Sequence, residues 1–362
     1  MTITSLDTLE IGTRKNITMK DVALRAGVHL SSVSVVLNGS KSSAGISSQT
    51  RERITEAAAE LGYRRNGSAH TIRTGRFGNV AILLSPLKSR SYLPLPLLAG
   101  LHDALDQVNM TLTFCMLGDE RLTESGTLPK FLREHMCDGL LIDYNLRIPQ
   151  PMIDSIRRHR IPAVWINSKQ EADCVHPNDF EAAEQATQHL LQLGHRKIAY
   201  IDFANQPDDP HYSAYDRCRG HTFTMQQAGL EPQVWKTESA GSDLIDFCTE
   251  RLVAQDRPTA VIGYATYAFE ALSYAAARLG LNVPDDLSVV SFGPEQTDYM
   301  CQPMTMLIEP QYEAGHLATG MMLRKIENPN DLIAPEAVRF SLAIGKSSAP
   351  IPLKATNRVG GT

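Results

Sequence analysis

Near the start of the chain, apolar residues recur at helical spacing in three short segments. The first begins at Met19, after Thr18 as a capping residue, and ends at Gly27. The second covers Leu30–Leu37 and the third covers residues 50–61. Two short helices joined by a turn that contains glycine are typical of a helix-turn-helix, although small three-helix clusters without nucleic-acid function share the pattern.

The remainder of the chain alternates short apolar runs with amphipathic helical stretches. Near-continuous apolar strands that alternate with helices indicate a parallel sheet covered on both faces, and the length suits two such lobes. The predicted strands are residues 79–85, 111–117, 139–144, 163–167, 197–202, 260–264 and 288–292. The predicted fold class is a small all-α helix-turn-helix head plus an α/β domain of two doubly wound parallel-sheet lobes.

These patterns divide the chain into five segments. We predict a disordered N-terminal tail, a helix-turn-helix domain, a hinge or linker, a two-lobed α/β domain and a C-terminal tail. They cover residues 1–16, 17–62, 63–78, 79–345 and 346–362. The first 16 residues lack the apolar core of a signal peptide, and no apolar run is long enough to span a bilayer. We therefore expect a cytoplasmic protein with no membrane partner.

Charge is distributed unevenly, although the net charge of the 362 residues is only -5. Residues 1–76 contain 11 Lys and Arg against 6 Asp and Glu, whereas the remaining residues are net acidic. A basic head on an acidic body suggests that the head meets a polyanion. The six cysteines form no CxxC pair and no zinc-ligand spacing, so we expect reduced thiols, no metal site and no cofactor.

The head resembles that of the lac repressor-type (LacI/GalR) family of bacterial transcription regulators. The resemblance rests on TMKDVALRAGV at residues 18–28, VS at 33–34, VLN at 36–38, TR at 50–51, and LGY at 61–63 followed by Asn66. It implies that Leu30–Leu37 lies in the major groove of double-stranded operator DNA. Leu30 and Ser31 would then select the operator, while Ser32 and Ser34 would donate to phosphates. The other head residues implied to contact DNA are Thr18, Val35, Asn38, Thr50 and Tyr63.

Three features of the head depart from the family. His29 replaces a serine, which weakens the helix cap, and the loop of residues 39–49 is longer than usual. Val35 replaces an arginine, and valine offers only apolar contact where arginine can pair with guanine. We therefore expect a changed half-site with fewer charge-assisted base contacts.

The basic segment of residues 63–76 reads as a linker on its own. The resemblance implies a hinge helix that orders on DNA, with Ile72 as a wedge in the minor groove and Asn66 and Ala69 at matching contact positions. Arg65 replaces the usual proline, which loosens the start of this helix. The alternative is a solvated linker whose Ile72 packs on the body.

The resemblance continues through LGHRKI at residues 193–198, PDDLSVV at 284–290 and Gly315. It implies two periplasmic-binding-protein-like lobes with a ligand cleft between them. Arg217, three residues before Gly220, matches the arginine that holds the ligand, and its planar fork suits hydroxyl, carboxylate or phosphate groups. The other implied cleft residues are Tyr92, Asp143, Asn167, Thr266 and Gly293. Each also has a structural interpretation, namely lobe bridging for Arg217, helix capping for Asn167 and Asp143, and loop packing for Tyr92.

The far wall of the cleft departs from the family pattern. Ala265 and Thr266 replace Asn-Asp, and Gly293 and Pro294 replace two aspartates. Without those acceptors a sugar's hydroxyls would be left unpaired. Either the ligand is less polar or differently charged than a simple sugar, or sensing has been lost.

Three classes of function follow from these patterns. The main hypothesis is a homodimeric, operator-binding transcription regulator, expected to be a repressor, that is controlled by a sugar or other small metabolite. An alternative is a ligand-binding module of the periplasmic type with degenerate DNA reading or a lost effector response. A transport-type binding protein is disfavoured by the missing signal peptide. An enzyme is disfavoured because GxSxG, HExxH, P-loop and GxGxxG motifs are absent, and we assign no catalytic residues.

Overall fold

A computed structural model describes most of the chain. The described residues are 17–37, 45–64, 75–87, 90–118, 137–203, 210–238, 241–299 and 302–351. The chain forms two compact units, a head unit (Met1–Phe77) and a body unit (Gly78–Thr362). Their boundary falls within the segment that the sequence predicted as a hinge. Four of the predicted DNA contacts lie outside the described residues, namely Asn38, Asn66, Ala69 and Ile72.

The head unit contains three helices, α1 (Met19–Ala26), α2 (Leu30–Leu37) and α3 (Ser48–Glu60). Helix α1 starts with a capping box, in which Thr18 and Asp21 satisfy each other's backbone N–H groups. It ends at Gly27, whose φ of 63° is in the left-handed region that glycine adopts without strain. One fully buried residue from each helix, Val22, Val33 and Ile54, forms the centre of the core. The predicted three-helix head is confirmed.

The body unit contains two six-stranded sheets, one in each lobe. The strands of lobe 1 are β1 (Asn79–Leu84), β2 (Thr111–Met116), β3 (Gly139–Asp143), β4 (Ala163–Ile166), β5 (Cys174–Pro177) and β13 (Glu336–Val338). They lie in the order β13-β5-β4-β3-β1-β2, and every pair is parallel. The helices described in this lobe are α4 (Leu95–Asp106), α5 (Gln150–Arg158) and α10 (Gln311–Glu327).

Lobe 2 repeats this architecture. Its strands are β6 (Ile198–Phe203), β7 (Gln233–Thr237), β8 (Ala260–Gly263), β9 (Ser288–Gly293), β12 (Thr305–Ile308) and β14 (Ser341–Ala343). They lie in the order β14-β12-β9-β8-β6-β7, with only β14 antiparallel. Its helices are α6 (Asp179–Gln192), α7 (Tyr212–Gln227), α8 (Ser242–Val253) and α9 (Thr266–Arg278). A short hairpin of β10 (Asp298–Tyr299) and β11 (Gln302–Pro303) precedes β12.

Alternate residues of each central strand enter different cores. In β1, Val80 and Ile82 pack with α4 and α10, whereas Ala81 and Leu83 pack in the cluster that contains α5. All four side chains are fully buried. Because successive side chains of a strand point to opposite faces, apolar side chains lie on both faces of the sheet. This confirms the predicted doubly wound fold. Among the described helices, none combines the length and the apolar character needed to cross a membrane.

The chain passes between the lobes three times. The crossover segments are Asn178, which follows β5, residues 309–310, which follow β12, and residues 339–340, which follow β13. The first and third are adjacent, because Asn178 N donates to Val338 O at 2.8 Å. The two lobes are therefore connected through a narrow set of neighbouring segments, an arrangement that permits hinge motion.

The compact part of lobe 2 extends beyond residue 345, where the sequence placed its end. Ser347 exchanges hydrogen bonds with β9, since Val289 N donates to Ser347 O (2.7 Å) and Ser347 Oγ donates to Val289 O (2.6 Å). Ile351 N also donates to Leu193 O at 3.2 Å. Residues 346–351 thus belong to the folded lobe rather than to a tail.

Candidate functional site

Helix α2 presents a polar and apolar surface at its start. Leu30 and Ser31 are exposed, Ser32, Ser34 and Val35 are half-exposed, and Val33 is buried in the head core. The residues expected to read bases thus include the most accessible part of the helix. Helix α2 contains no charged residue, so its contacts with a duplex would be apolar or neutral hydrogen bonds.

The imidazole of His29 takes the place of a serine cap. Its Nδ1 accepts from Ser31 N at 3.4 Å and lies 2.8 Å from Ser31 Oγ. A bond of 3.4 Å is long for a cap, and Ser31 Oγ is held beside the ring. The side chain of Ser31 is therefore oriented by His29 before any partner binds.

The remaining head residues also have internal partners. Thr18 Oγ1 donates to Asp21 Oδ2 at 2.7 Å, and Thr50 Oγ1 lies 2.9 Å from Ser47 Oγ at the start of α3. Tyr63 is half-buried and packs against the head core. These residues support the frame that presents α2 in addition to any contact that they make with DNA.

A cavity of about 520 Å³ lies in the body unit, lined by residues of both lobes and by Glu309 of the second crossover segment. Tyr92, Asn167, Arg217, Thr266 and Gly293 all contribute to its wall, as the sequence predicted for the ligand cleft. Other residues of the cavity wall were not predicted from the sequence, among them Asn145, Asp179, His211, Tyr264, Tyr267, Phe292, Glu309 and Gln311.

Asp143 is placed differently from the prediction. It is fully buried at the end of β3 and does not line the cavity. One oxygen, Oδ2, accepts from Tyr92 N at 2.9 Å. Burial raises the pKa of Asp143 to about 8, because desolvation disfavours the charged carboxylate. Strand-end position alone did not reveal that the side chain faces the interior, where it supports the loop that carries Tyr92.

Asn145 connects this loop to the next strand. In the amide orientation that satisfies both of its ends, Asn145 Nδ2 donates to Asp143 Oδ1 (3.1 Å) and to Asn167 O (3.2 Å). Asn167 itself has a φ of 54°, in the left-handed region that asparagine tolerates better than most residues. The backbone of the lobe 1 wall is therefore fixed by a short chain of hydrogen bonds.

Arg217 is only 5% exposed and is bound by the chain itself. Its Nε donates to Asp179 Oδ1 (2.6 Å), its Nη1 to Tyr264 O (2.7 Å) and its Nη2 to Glu309 Oε1 (3.1 Å). The guanidinium lies 4.2 Å from the ring centroid of Phe292. The carboxyl groups raise the pKa of Arg217 against the effect of burial, so the cation is retained.

Hydrogen bonds bridge the lobes at one side of the cavity. Asn167 of lobe 1 accepts two hydrogen bonds from lobe 2. His211 Nε2 donates to the backbone carbonyl of Asn167 at 2.9 Å, and the Tyr212 hydroxyl donates to Asn167 Oδ1 at 3.2 Å. Lys169 also pairs with Asp216. His211 Nδ1 accepts from Ser213 N and so caps α7, which leaves the ring proton on Nε2. Burial lowers the pKa of His211, which favours this neutral form.

Part of the lobe 2 wall lacks hydrogen-bonding side chains. Ala265 and Gly293 have none, and a Cβ at Gly293 would lie 3.2 Å from Thr266 Oγ1. Aromatic rings occupy much of this wall instead, from Tyr264, Tyr267 and Phe292. In the described part of the chain, no group of three or more His, Cys, Asp or Glu is placed to hold a metal ion.

The predictions missed the acidic residues of the cavity. Asp179 follows the first crossover segment and Glu309 lies in the second. They are far apart in sequence, so only the fold brings them together at Arg217. The position of each at the carboxyl end of a strand was the available signal, but β5 and β12 were themselves too short to be recognised from four residues each.

Comparison with known proteins identifies two families along the chain. Residues 18–66 match the family described as bacterial regulatory proteins, lacI family. Residues 187–348 match the periplasmic binding protein-like domain.

Similar proteins align over most of the chain. The ribose operon repressor of Haemophilus influenzae is 26% identical over 332 residues, which cover 87% of this chain and 93% of that protein. The transcriptional repressor CytR of Escherichia coli is 26% identical over 353 residues, covering 92% and 97% of the two chains. A solved structure of the lac repressor dimer bound to operator and the anti-inducer ONPF has a TM-score of 0.74 at 21% identity, and it covers 92% of this chain and all of its own. At that identity the structural match establishes the fold alone.

Proposed function

Because this chain belongs to the lacI family of bacterial regulatory proteins and also has a periplasmic-binding-protein-like domain, we propose that it is an effector-controlled transcriptional repressor. It binds operator DNA through the head unit and a small molecule in the cavity of the body unit. The observation that carries this proposal is the presence, in one chain, of an accessible helix α2 and a cavity lined by residues of both lobes. A protein that acts on chromosomal DNA works in the cytoplasm.

The protein acts as a homodimer on a near-palindromic site, since two equivalent heads match two half-sites. Leu30, Ser31 and Val35 are the proposed base-reading residues, and Val35 suits a thymine methyl group. Thr18, Thr50, Ser32 and Ser34 are proposed to contact phosphates, which position the head without specifying sequence. The residues proposed for the hinge are Tyr63, Asn66, Ala69 and Ile72.

Control of operator binding requires that the effector favour one arrangement of the lobes. Asn167 and Arg217 are suited to this, because each contacts the cavity and also joins parts of the body that can move relative to one another. A ligand that competes for these contacts, or adds to them, changes the relative stability of the two arrangements. Tyr92, Thr266 and Gly293 complete the proposed ligand wall.

The test is footprinting of the purified protein on genomic DNA of its own organism, at moderate salt. A short near-palindromic site is expected in wild type. Leu30→Ala should weaken specific binding by about 1–3 kcal/mol. The matched control is Leu24→Ala. Leu24 is 86% exposed and lies on α1, outside helix α2.

One observation favours a second outcome. Helix α2 lacks any charged residue, so base reading by this head has no charge-assisted contact within the helix. If binding shows no preferred site and simply weakens with salt, sequence reading is degenerate. The body unit would then be a ligand-binding module with another output, and the operator part of the proposal would be wrong.

A further inference from the structure

The charge of the cavity wall is unbalanced. Among its described lining residues, Arg217 is the one cationic side chain, and it faces the two carboxyl groups of Asp179 and Glu309. His211 contributes no charge, because burial lowers its pKa. The wall therefore has one more acidic group than basic groups, and burial raises the pKa of Asp179 against the effect of Arg217, so Glu309 carries most of the excess negative charge.

The guanidinium of Arg217 is largely neutralised by the chain itself. Three of its five N–H groups donate to acceptors of the chain, two of them to carboxyl oxygens. An anionic ligand at Arg217 would also meet these two carboxyl groups, and drawing the guanidinium away from them would leave their charge uncompensated, which is costly in a dry site. The geometry thus disfavours carboxylates and phosphates as effectors.

Acceptors remain available on the acidic side. Asp179 lines the cavity and is fully buried. Its Oδ2 accepts no hydrogen bond of good geometry from the described residues, and the Tyr212 hydroxyl, which donates to Asn167 Oδ1, lies so close to Asp179 that this carboxyl adds to burial in raising the pKa of Tyr212. A buried acceptor without a donor is rare in folded proteins and points to a missing partner with N–H or O–H groups. Among the described residues, Gln311 Nε2 is the one donor to Glu309 Oε2, at 2.8 Å.

The electrostatic potential around Tyr92 is also negative. The pKa of Tyr92 is raised first by burial and then by the carboxylates of Glu309 and Glu295. A negative field therefore reaches the lobe 1 wall of the cavity as well. Tyr92 and Tyr267 are partly exposed there, at 45% and 38%, and the negative face of an aromatic ring attracts cations.

We propose that the effector is a small organic cation, an amine whose ammonium group binds beside Glu309 and Asp179 and whose apolar body lies among the tyrosines of the cavity. This inference rests on the proposed function, since it names the ligand class of the same cleft. At Ala265, Gly293 and Pro294 the wall supplies no side-chain partner for the hydroxyls of a sugar.

Three probes with the same ring test the charge preference in the full-length protein. They are phenethylamine, phenethyl alcohol and phenylacetate, which are cationic, neutral and anionic, and D-ribose is the sugar probe. By calorimetric titration, the amine should bind at least about tenfold more tightly than the alcohol, and phenylacetate should bind most weakly. Binding of phenylacetate or ribose as tight as that of the amine, or no binding of the amine at millimolar concentration, would overturn the proposal.

A variant of Glu309 tests whether this carboxylate causes the preference for the amine. Glu309→Gln should reduce the advantage of the amine over the alcohol to less than about threefold. The control is Glu313→Gln, the same exchange at an exposed position of α10 outside the cavity wall, and it should keep the wild-type ratio. An unchanged ratio in Glu309→Gln, with a wild-type melting temperature, would also contradict the proposal.

Operator release separates this inference from the function on which it rests. If ribose or phenylacetate releases operator DNA and the amine does not, the repressor function stands and the ligand class is wrong. If the protein binds no operator at all, the proposed function fails, whatever the probes do.

Discussion

Arg217 Nη2 lies 3.1 Å from Glu309 Oε1, so helix α7 of lobe 2 is tied to the second crossover segment. The same guanidinium contacts Asp179, next to the first crossover, and lies 5.7 Å from the ring centroid of Phe340 in the third. One side chain therefore touches the surroundings of all three connections between the lobes. A ligand that changes the contacts of Arg217 acts directly on the hinge, which gives the cavity a physical route to the lobe arrangement.

Loss of Arg217 should destabilise the body unit as well as abolish the effector response. Arg217→Met leaves two carboxyl groups facing a buried apolar side chain, and breaking a buried pair in this way costs about 3–5 kcal/mol. We expect this decrease in the free energy of unfolding in urea denaturation.

The control for this prediction is Arg278→Met on α9. Arg278 pairs with Asp246 at 2.7 Å, but the two side chains are 50% and 64% exposed. The loss there should stay below about 1 kcal/mol. Equal losses in the two variants would show that the Arg217 contacts are not the buried network described here.

Gly220→Ala should weaken the packing of α7 on α6. A Cβ at Gly220 would lie 2.3 Å from Phe180 O and 2.9 Å from Ala183 Cβ, both on α6. Because a backbone carbonyl cannot move aside cheaply, we expect a loss of about 1–3 kcal/mol in unfolding free energy. The glycine that follows Arg217 by three residues thus has a packing role.

Gly320 on α10 provides a matched helical control. A Cβ there meets nothing within 4 Å, and the residue is exposed. Gly320→Ala should therefore stabilise the protein by about 0.5–1 kcal/mol, through the helix preference of alanine over glycine. If both variants changed stability in the same direction, the close approach of α6 and α7 would not be the cause.

The sequence predicted strands correctly where the run of apolar residues was long enough to be recognised. All seven predicted strands are present, because runs such as those of β1 and β9 are continuous and buried on both faces. Strand β5 was missed, since Cys174–Pro177 is four residues long and includes a histidine and a proline. Short strands of this kind are specified by their neighbours in the sheet rather than by their own pattern.

The site was predictable only in part, for a related reason. Arg217 and Asn167 lie at motif or strand-end positions that sequence reasoning can locate. The partners that determine their electrostatics, Asp179, Glu309 and His211, are far apart in the chain and meet only through the crossovers. Asp143 was assigned wrongly to the wall because its position at a strand end does not fix whether the side chain faces the cleft or the core.

The free energy of unfolding should fall as the pH drops from about 6.5 to about 4, in part because of His221. Burial lowers the pKa of His221 from 6.5 to about 4 in the folded protein. Between these pH values His221 is protonated in the unfolded chain but stays neutral in the folded protein. The contribution to stability that is present above pH 6.5 is therefore lost as the pH falls through this interval. At ~1.4 kcal/mol for each pKa unit, the loss amounts to about 3 kcal/mol.

Urea unfolding at several pH values checks this prediction. His221 Nδ1 lies 3.1 Å from Thr187 Oγ1, which itself donates to Ala183 O, so the ring donates to the hydroxyl. His221→Gln keeps a donor and removes the titrating group, and the decline in stability toward acid should become shallower than in wild type. The same exchange at the exposed His159 separates the effect of burial from that of the substitution. An identical acid decline in wild type and His221→Gln would exclude a contribution from this residue.

Val35→Arg should change which half-site the head prefers. Val35 is half-exposed on α2, a helix without any charged side chain, so one guanidinium there adds the first charge-assisted donor. A bidentate pair with guanine contributes about 1–3 kcal/mol of discrimination against other bases. Selection from randomised duplexes should therefore show a new guanine preference at one position of each half-site.

Leu24→Arg adds the same charge on α1, and it should strengthen binding to all sequences at low salt without changing the preferred base. A variant Val35→Arg that gained affinity only in this uniform way would show that residue 35 faces the phosphate backbone and not the base edges, and the placement of α2 in the groove would have to be revised.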